Sequence, residues 1–530
     1  MTDPAPAVDL PGEQMFGHPK GLFFLFFAEL WERFSFYGMR ALLVLYLANE
    51  LFQDAANGKE VAYEIYAAYG TLVYFTPAIG GMLADRLIGH KNSIMLGALL
   101  MCIGHFTMAF ENSTIFYMSL GLLIIGNGFF KPNISSLVGG LYEQGDVRRD
   151  AGFTIFYLGI NLGAFLAPLI CGWLGSSFGW HYGFGAAGFG MLLGMIVFWY
   201  GDKIGVYGNQ GNQPAAYAEK PGLNVRYIIY FLSFLFVPVF AYMVRMNQLE
   251  IFSGRGLLES LLLLLLFLVV LFILYVCVTS EKVTRNRLLV VCVLTFFVTV
   301  FWAFFEQAGS SLTLFAEEQV NLVMLNASQT NAINPGYIIL LAIPFSMMWS
   351  WLDKRNANPN TMIKFGLGIL QLGLGFLVFA LSARFMNDAG KVSMLFLMVG
   401  YLFITSGELF LSPIGLSKVT ELSPAKLVSF MMGVWFLSSS FAHYISGIIA
   451  KLTTGGDGHG GDAAQVAEGP LTKYANMITG SGDMANASES VVNLLNYTSV
   501  FAQIAIISFV IGIIALIISP LIKYMMHGIK

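Results

Sequence analysis

Four ionisable side chains within one apolar run are the first place where this chain can do chemistry. The stretch Glu29-Leu-Trp-Glu32-Arg33-Phe-Ser-Phe-Tyr37-Gly-Met-Arg40 lies inside the apolar segment 21–47. That segment is about 27 residues long, enough to span a bilayer as a helix. Each ionisable group in a membrane helix costs about 2.5–3.5 kcal/mol on insertion scales, so four unpaired ones cost roughly 10–14 kcal/mol. A helix that served only as an anchor would not carry them. At about 100° per residue, the four charges and Tyr37 fall within an arc of roughly 140°, on one helix face. That face is expected to line a polar cavity within a bundle. Two carboxylates and two guanidiniums balance in charge, so they can pair locally and re-pair when a proton or ligand arrives.

Other polar groups interrupt apolar runs further on. Lys131 precedes a proline inside the run 122–138. A lysine there calls for a counter-charge or a proton-coupled role, unless it snorkels to the cytoplasmic edge. Gly126-Asn-Gly128-Phe-Phe-Lys131 has the loose spacing of a phosphate loop, but its setting in an apolar helix argues against one. Glu306, in Phe301-Trp302-Ala-Phe-Phe-Glu306-Gln307, and Glu408, in Ser406-Gly407-Glu408, are acids in apolar surroundings. A cation on one wall of a cavity and an acid on the other suit a zwitterion; pairing that only satisfies burial is the other reading. Asn161 and Asn334 suit either a hydrogen bond to a ligand or one that joins two helices. Tyr37, Tyr74, Trp302 and Trp435 suit side-chain pockets or packing. His105 and His443 stand alone in apolar helices and are read as packing residues.

The elements that must position these groups are membrane helices. The chain has 530 residues, 57% hydrophobic and 11% charged, with a mean hydropathy of +0.70. A soluble protein carries about 25% charged residues. The fold class is all-α integral membrane. Net charge is −3, and nothing points to nucleic acid. Cys102, Cys171, Cys277 and Cys292 lie in apolar segments at unrelated spacings and read as buried thiols. Residues 1–20 have no apolar core and do not read as a signal peptide. Fourteen spans are expected, near 21–48, 65–86, 92–110, 115–138, 151–174, 182–203, 225–246, 256–279, 288–315, 333–352, 362–384, 392–415, 427–453 and 492–525. With the N-terminus inside, 18 of the 28 lysines and arginines fall on the cytoplasmic side, 7 outside and 3 within spans. That asymmetry places both termini in the cytoplasm.

The seventh and eighth spans lack acids and bases in their middles and read as an inserted structural hairpin. The remaining twelve echo each other: Ala84-Asp85-Arg86 in one half and Leu352-Asp353-Lys354 in the other, Lys131-Pro132 and Ser412-Pro413, each pair six helices apart. This is the parallel-repeat layout of the major-facilitator fold, two six-helix bundles around a central site. The expected organisation is a cytoplasmic tail 1–20, a first bundle 21–204, a linker with two extra helices 205–287, and a second bundle 288–530. The last contains an extracellular loop of low order, 454–490, rich in Gly, Asp and Ala.

Several separated motifs together resemble the proton-dependent oligopeptide transporters, bacterial type: Glu29-Leu-Trp-Glu32-Arg33-Phe-Ser-Phe-Tyr37-Gly, Gly126-Asn-Gly-Phe-Phe-Lys131-Pro-Asn-Ile-Ser-Ser, Phe156-Tyr-Leu-Gly-Ile-Asn161-Leu-Gly-Ala, Glu306-Gln307, Asn334-Pro335, and Gly407-Glu408 with Ser412-Pro413. The resemblance implies uptake of di- and tripeptides driven by the proton gradient, in the cell (inner) membrane. It implies that Arg33, Arg40 and Lys131 meet the peptide carboxylate, with Tyr37 and Tyr74 nearby, and that Glu408 meets the amino group, aided by Asn161 and Asn334. Trp302, Trp435 and Ser412 would line the pocket. Glu29, Glu32 and Arg33, with Lys131 and Glu306, would couple the proton, and Arg40 would pair with Glu306 at an outer gate. Phe36 stands where the family motif has tyrosine. The expected partners are a small peptide, the proton and the lipid bilayer; no cofactor, no metal site and no enzymatic activity are expected, and the protein is expected to be a monomer. A transporter of the same fold for another anionic or drug-like solute is the alternative.

Overall fold

The computed structural model describes residues 14–529 except 144–145, 219–223, 248–249, 253–254, 425–426, 456–469 and 481–486. In hydrocarbon every backbone N–H and C=O must be satisfied within the protein, which makes the apolar spans helical. In chain order the helices are α1 Lys20–Tyr46, α2 Gly58–Leu83, α3 His90–Met108, α4 Ser113–Gly140, α5 Arg149–Phe178, α6 Trp180–Lys203, the short α7 Ala215–Ala218, α8 Val225–Arg245, α9 Leu257–Thr279, α10 Lys282–Phe305, α11 Ser311–Gln319, α12 Ile333–Lys354, α13 Thr361–Leu381, α14 Met394–Leu422, α15 Val428–Lys451, α16 Pro470–Thr479 and α17 Glu489–Met525. Among the described residues, ten helical segments are long and apolar enough to cross a membrane.

Two expectations are corrected. The span 288–315 lies within one membrane-crossing segment, Lys282–Gln319, but its helix is interrupted. α10 stops at Phe305, a 3-10 turn covers Glu306–Gly309, and Ser310 leaves helical geometry (φ −125°, ψ −98°) before α11 begins. Gly309 and the serine pair are weak helix formers, and the Gln307 side chain is occupied elsewhere, as described below. The segment 454–490 is not all loop. Thr472, Ala475, Asn476 and Thr479 recur at i, i+3, i+4 and i+7, and this stripe of α16 turns inward as α16 packs on α17. The Gly- and Asp-rich composition around it hides that short period. Residues 456–469 and 481–486 of that loop lie outside the described residues, as do residues 1–13 of the expected tail. The rest of the tail holds a small antiparallel pairing of Gln14–Met15 with His18–Pro19.

Contacts divide the chain into two units, residues 1–42 with 72–245, and residues 43–71 with 246–530. In the first, α3 packs on α4 and α6, α5 on α6, and α8 on α4. In the second, α13 packs on α14 and α17, α10 on α15 and α14, and α12 on α14. The end of α1 and the first half of α2 belong to the second unit. There Lys59 stands 2.8 Å from Glu318, Lys451 stands 2.7 Å from Glu64, and the Asn49 amide donates to Glu317 at 2.9 Å. Cys102, Cys171 and Cys277 are buried, whereas Cys292 is half-buried at the side of α10.

Candidate functional site

In the first unit the charged face of α1 is held by close helix contact. A Cβ on Gly163 of α5 would lie 2.3 Å from the Leu30 carbonyl oxygen and 3.0 Å from the Arg33 Cβ. Only glycine lets the two backbones meet beside the guanidinium. Glu29, Glu32 and Arg33 are all buried. Arg33 Nε donates to Glu29 Oε1 at 2.7 Å and lies 3.1 Å from Glu32 Oε2. Two carboxylates therefore share one guanidinium. Removing the guanidinium costs about 3–5 kcal/mol or more, because both carboxylates are then left uncompensated.

The Gly126-Asn-Gly128 stretch lies in the middle of α4. Its glycines serve packing: a Cβ on Gly128 would lie 2.7 Å from Thr76 Cβ on α2. Between them Asn127 points to α1 and donates to Glu32 Oε1 at 3.3 Å. One helical turn on, Lys131 Nζ stands 4.0 Å from the centroid of the Tyr74 ring. A cation over an aromatic face gains about 0.5–2 kcal/mol, so Tyr74 gives Lys131 a partner within the helices. Arg40 lies 5.9 Å from the Tyr37 ring centroid. Phe36 is buried and meets Tyr37 edge-on at 5.3 Å. Asn161 is buried, and its amide donates to the Tyr157 carbonyl one turn back in α5 at 2.9 Å.

In the second unit α12 and α14 are joined at an acid. Asn334 Nδ2 donates to Glu408 Oε2 and to Thr405 Oγ1, each at 3.0 Å. Glu408 is buried, and its carboxylate is oriented by the Asn334 amide, which the Thr405 hydroxyl in turn anchors. Trp302 is half-buried and packs edge-on against Phe305 at 4.9 Å. The Trp435 ring lies close to the backbone of α14: a Cβ on Gly415 would come within 2.4 Å of it. The Ser412 side chain lies outside the described residues. Glu306 is buried on the 3-10 turn, and His443 Nε2 lies 3.7 Å from its Oε1. His443 is thus not the isolated packing residue its apolar helix suggests, whereas His105 is buried in α3. Among the described residues no group of three His, Cys, Asp or Glu side chains stands ready to hold a metal ion.

The structure therefore collects the sequence-predicted residues in two sets. Glu29, Glu32, Arg33, Tyr37, Arg40, Tyr74, Lys131 and Asn161 are in the first unit, and Trp302, Glu306, Asn334, Glu408 and Trp435 in the second. Asn127, Thr405 and His443 were missed. Asn127 lies in a stretch already singled out, and Thr405 is one helical turn before Glu408, a spacing that places both on one face. His443 had no local signal.

Buried charge pairs, amides and aromatics on otherwise apolar membrane helices define a carrier of polar solutes. The POT family signature matches residues 91–466, and the chain belongs to the POT family. It is 36% identical to the uncharacterized transporter YclF of Bacillus subtilis, over 98% of this chain and 97% of that one. It is 35% identical to a di-/tripeptide transporter of Lactococcus lactis, over 82% of this chain and 90% of that one. The fold is similar to the crystal structure of a peptide transporter POT in complex with sulfate, with a TM-score of 0.78, 32% identity and 98% of each chain covered.

Proposed function

We propose that this protein is a proton-coupled symporter that imports di- and tripeptides by alternating access. The observation that carries the coupling is the shared guanidinium of Arg33, contacted by both Glu29 and Glu32. Two carboxylates around one cation leave an excess negative charge in a buried site, and one proton removes it. Protonating one acid loosens its hold on Arg33 and makes the guanidinium available to a peptide carboxylate. Arg40, Lys131, Tyr37 and Tyr74 add to carboxylate binding. Glu408, oriented by Asn334, takes the peptide amino group, with Asn161 assisting. Trp302, Trp435 and Ser412 shape the space for side chains. Lys131 and Glu306 join the coupling set, and Arg40 pairs with Glu306 as an outer gate. Release inside and deprotonation re-form the pairs.

In this reading the protein crosses the cell membrane fourteen times, as two six-helix bundles with an inserted hairpin, both termini in the cytoplasm, working as a monomer with the proton as coupling ion. Family membership and a relative named as a di-/tripeptide transporter support it. The test is uptake of labelled dialanine into proteoliposomes with and without an inward proton gradient. Accumulation that an ionophore collapses is the expected result. A correctly inserted protein that takes up no dipeptide, but moves an anion or drug-like solute, would show the same fold serving a different substrate.

A further inference from the structure

A second pair of buried titratable groups stands apart from the α1 cluster. His443 on α15 and Glu306 on the turn after α10 are both buried, with Nε2 3.7 Å from Oε1. The approach is held from two sides. Gln307, next to Glu306, donates to both the carbonyl and the hydroxyl of Ser446, at 3.0 Å each, and so ties the turn to α15 three residues beyond His443. Ser311 donates to Gln307 Oε1 at 2.6 Å and fixes the orientation of that amide. On the other flank the backbone of α2 lies against the imidazole: a Cβ on Gly70 would stand 2.6 Å from Nδ1 and 2.9 Å from Cγ. Thr71 Oγ1 donates to the Ser440 carbonyl at 3.3 Å and continues the same seam. The ring is held between a carboxylate and a helix backbone, with little room to turn from either.

We propose that His443 is a second proton-binding residue of the transport cycle, sharing its proton with Glu306. An imidazole beside a carboxylate away from water can hold one proton in two ways, as imidazolium with carboxylate or as imidazole with carboxylic acid. Passage between them moves one proton between Nε2 and Oε1 and breaks no other bond. The proton then belongs to the pair rather than to either residue.

The other elements packed on α15 bring further charges, each partnered or remote from the ring. Glu64 on α2 pairs with Lys451 at 2.7 Å, about 12 Å along α15 from His443. Glu259 on α9 accepts from Tyr444 at 3.2 Å. Glu408 on α14 accepts from Asn334. The bases of α10, Lys282, Arg285 and Arg287, lie at its far end. Among the described residues, Glu306 approaches the ring within ion-pair distance.

The inference rests on the proton-coupled reading above. The experiment measures labelled dialanine uptake by the full-length protein in proteoliposomes between pH 5 and 8, for the wild type, His443→Gln, Glu306→Gln and the double variant. His443→Asn serves if the glutamine variant fails to insert. The expected result is a midpoint displaced by about one pH unit or more in each single variant, the size that marks interacting sites. The double variant should move no further than the larger single shift, because one shared proton can be lost only once. An unchanged midpoint in an active His443 variant, with wild-type uptake driven by the gradient, overturns this inference and leaves proton coupling standing. Wild-type uptake indifferent to the gradient overturns both.

Discussion

Replacing Glu32 with Gln removes one of the two carboxylates that share Arg33 and separates coupling from transport. At 3.1 Å the gross attraction between Glu32 and Arg33 is about 5 kcal/mol at an effective dielectric constant of about 20. The variant forfeits that attraction. It also ends the repulsion between Glu29 and Glu32 and the desolvation of one buried charge, which costs several kcal/mol. The glutamine carbonyl can still accept from Asn127, and Arg33 keeps its 2.7 Å bond to Glu29. The net effect on folding is therefore small, about 2 kcal/mol or less. The effect on coupling is large. The remaining pair is neutral without a proton, so proton arrival no longer frees the guanidinium. Each proton moving down one pH unit drives at most about a tenfold accumulation, since tenfold corresponds to about 1.4 kcal/mol. In proteoliposomes the wild type should approach that limit, and Glu32→Gln should level off near equal concentrations inside and outside while still exchanging labelled for unlabelled dipeptide. Uphill accumulation by Glu32→Gln equal to the wild type would refute the assignment of the coupling proton to this cluster.

Two further outcomes follow from the contacts. Glu408→Gln leaves Asn334 an acceptor but removes the charge offered to a peptide amino group; truncating one side of a buried charge pair costs about 2 kcal/mol or more. The KM for dialanine should rise about 30-fold or more, and competition by an N-acetylated dipeptide should not weaken to match; equal weakening of both points to a structural role for Glu408. Gly80→Ala places a Cβ 2.1 Å from the Gly128 carbonyl oxygen, an overpacking that typically costs about 1–3 kcal/mol. The purified protein should melt at a lower temperature, and an unchanged transition speaks against close α2–α4 packing.

Much of the helical framework is legible from composition because the solvent is hydrocarbon. A run such as 257–279 has no means of satisfying its backbone except as a helix, and its limits in the structure, Leu257–Thr279, lie within a residue or so of the apolar run. The interruption at Glu306 was not legible. It depends on Gln307 finding Ser446, 139 positions away, and no local period records such a partner. α16 was hidden for another reason: its inward stripe is made of Thr, Ala and Asn, which carry little hydrophobic contrast.

The candidate site divides in the same way. The charges on α1 announce themselves, since an unpaired ion in a membrane is too costly to be incidental. Their helical spacing already puts Glu29, Glu32 and Arg33 on one face, and the structure finds them bonded. Asn127 and His443 are ordinary residues until neighbouring helices bring an acid to each, at 3.3 Å and 3.7 Å. The sequence alone determined which helices carry charge and that the charges need partners, because cost in hydrocarbon is a property of the residue and its immediate run. Only the tertiary structure decided which partner each one has. That choice depends on how closely two backbones approach, and at α1–α5, α2–α4 and α2–α15 it turns on single glycines, Gly163, Gly80 and Gly70, whose missing side chains set the distance.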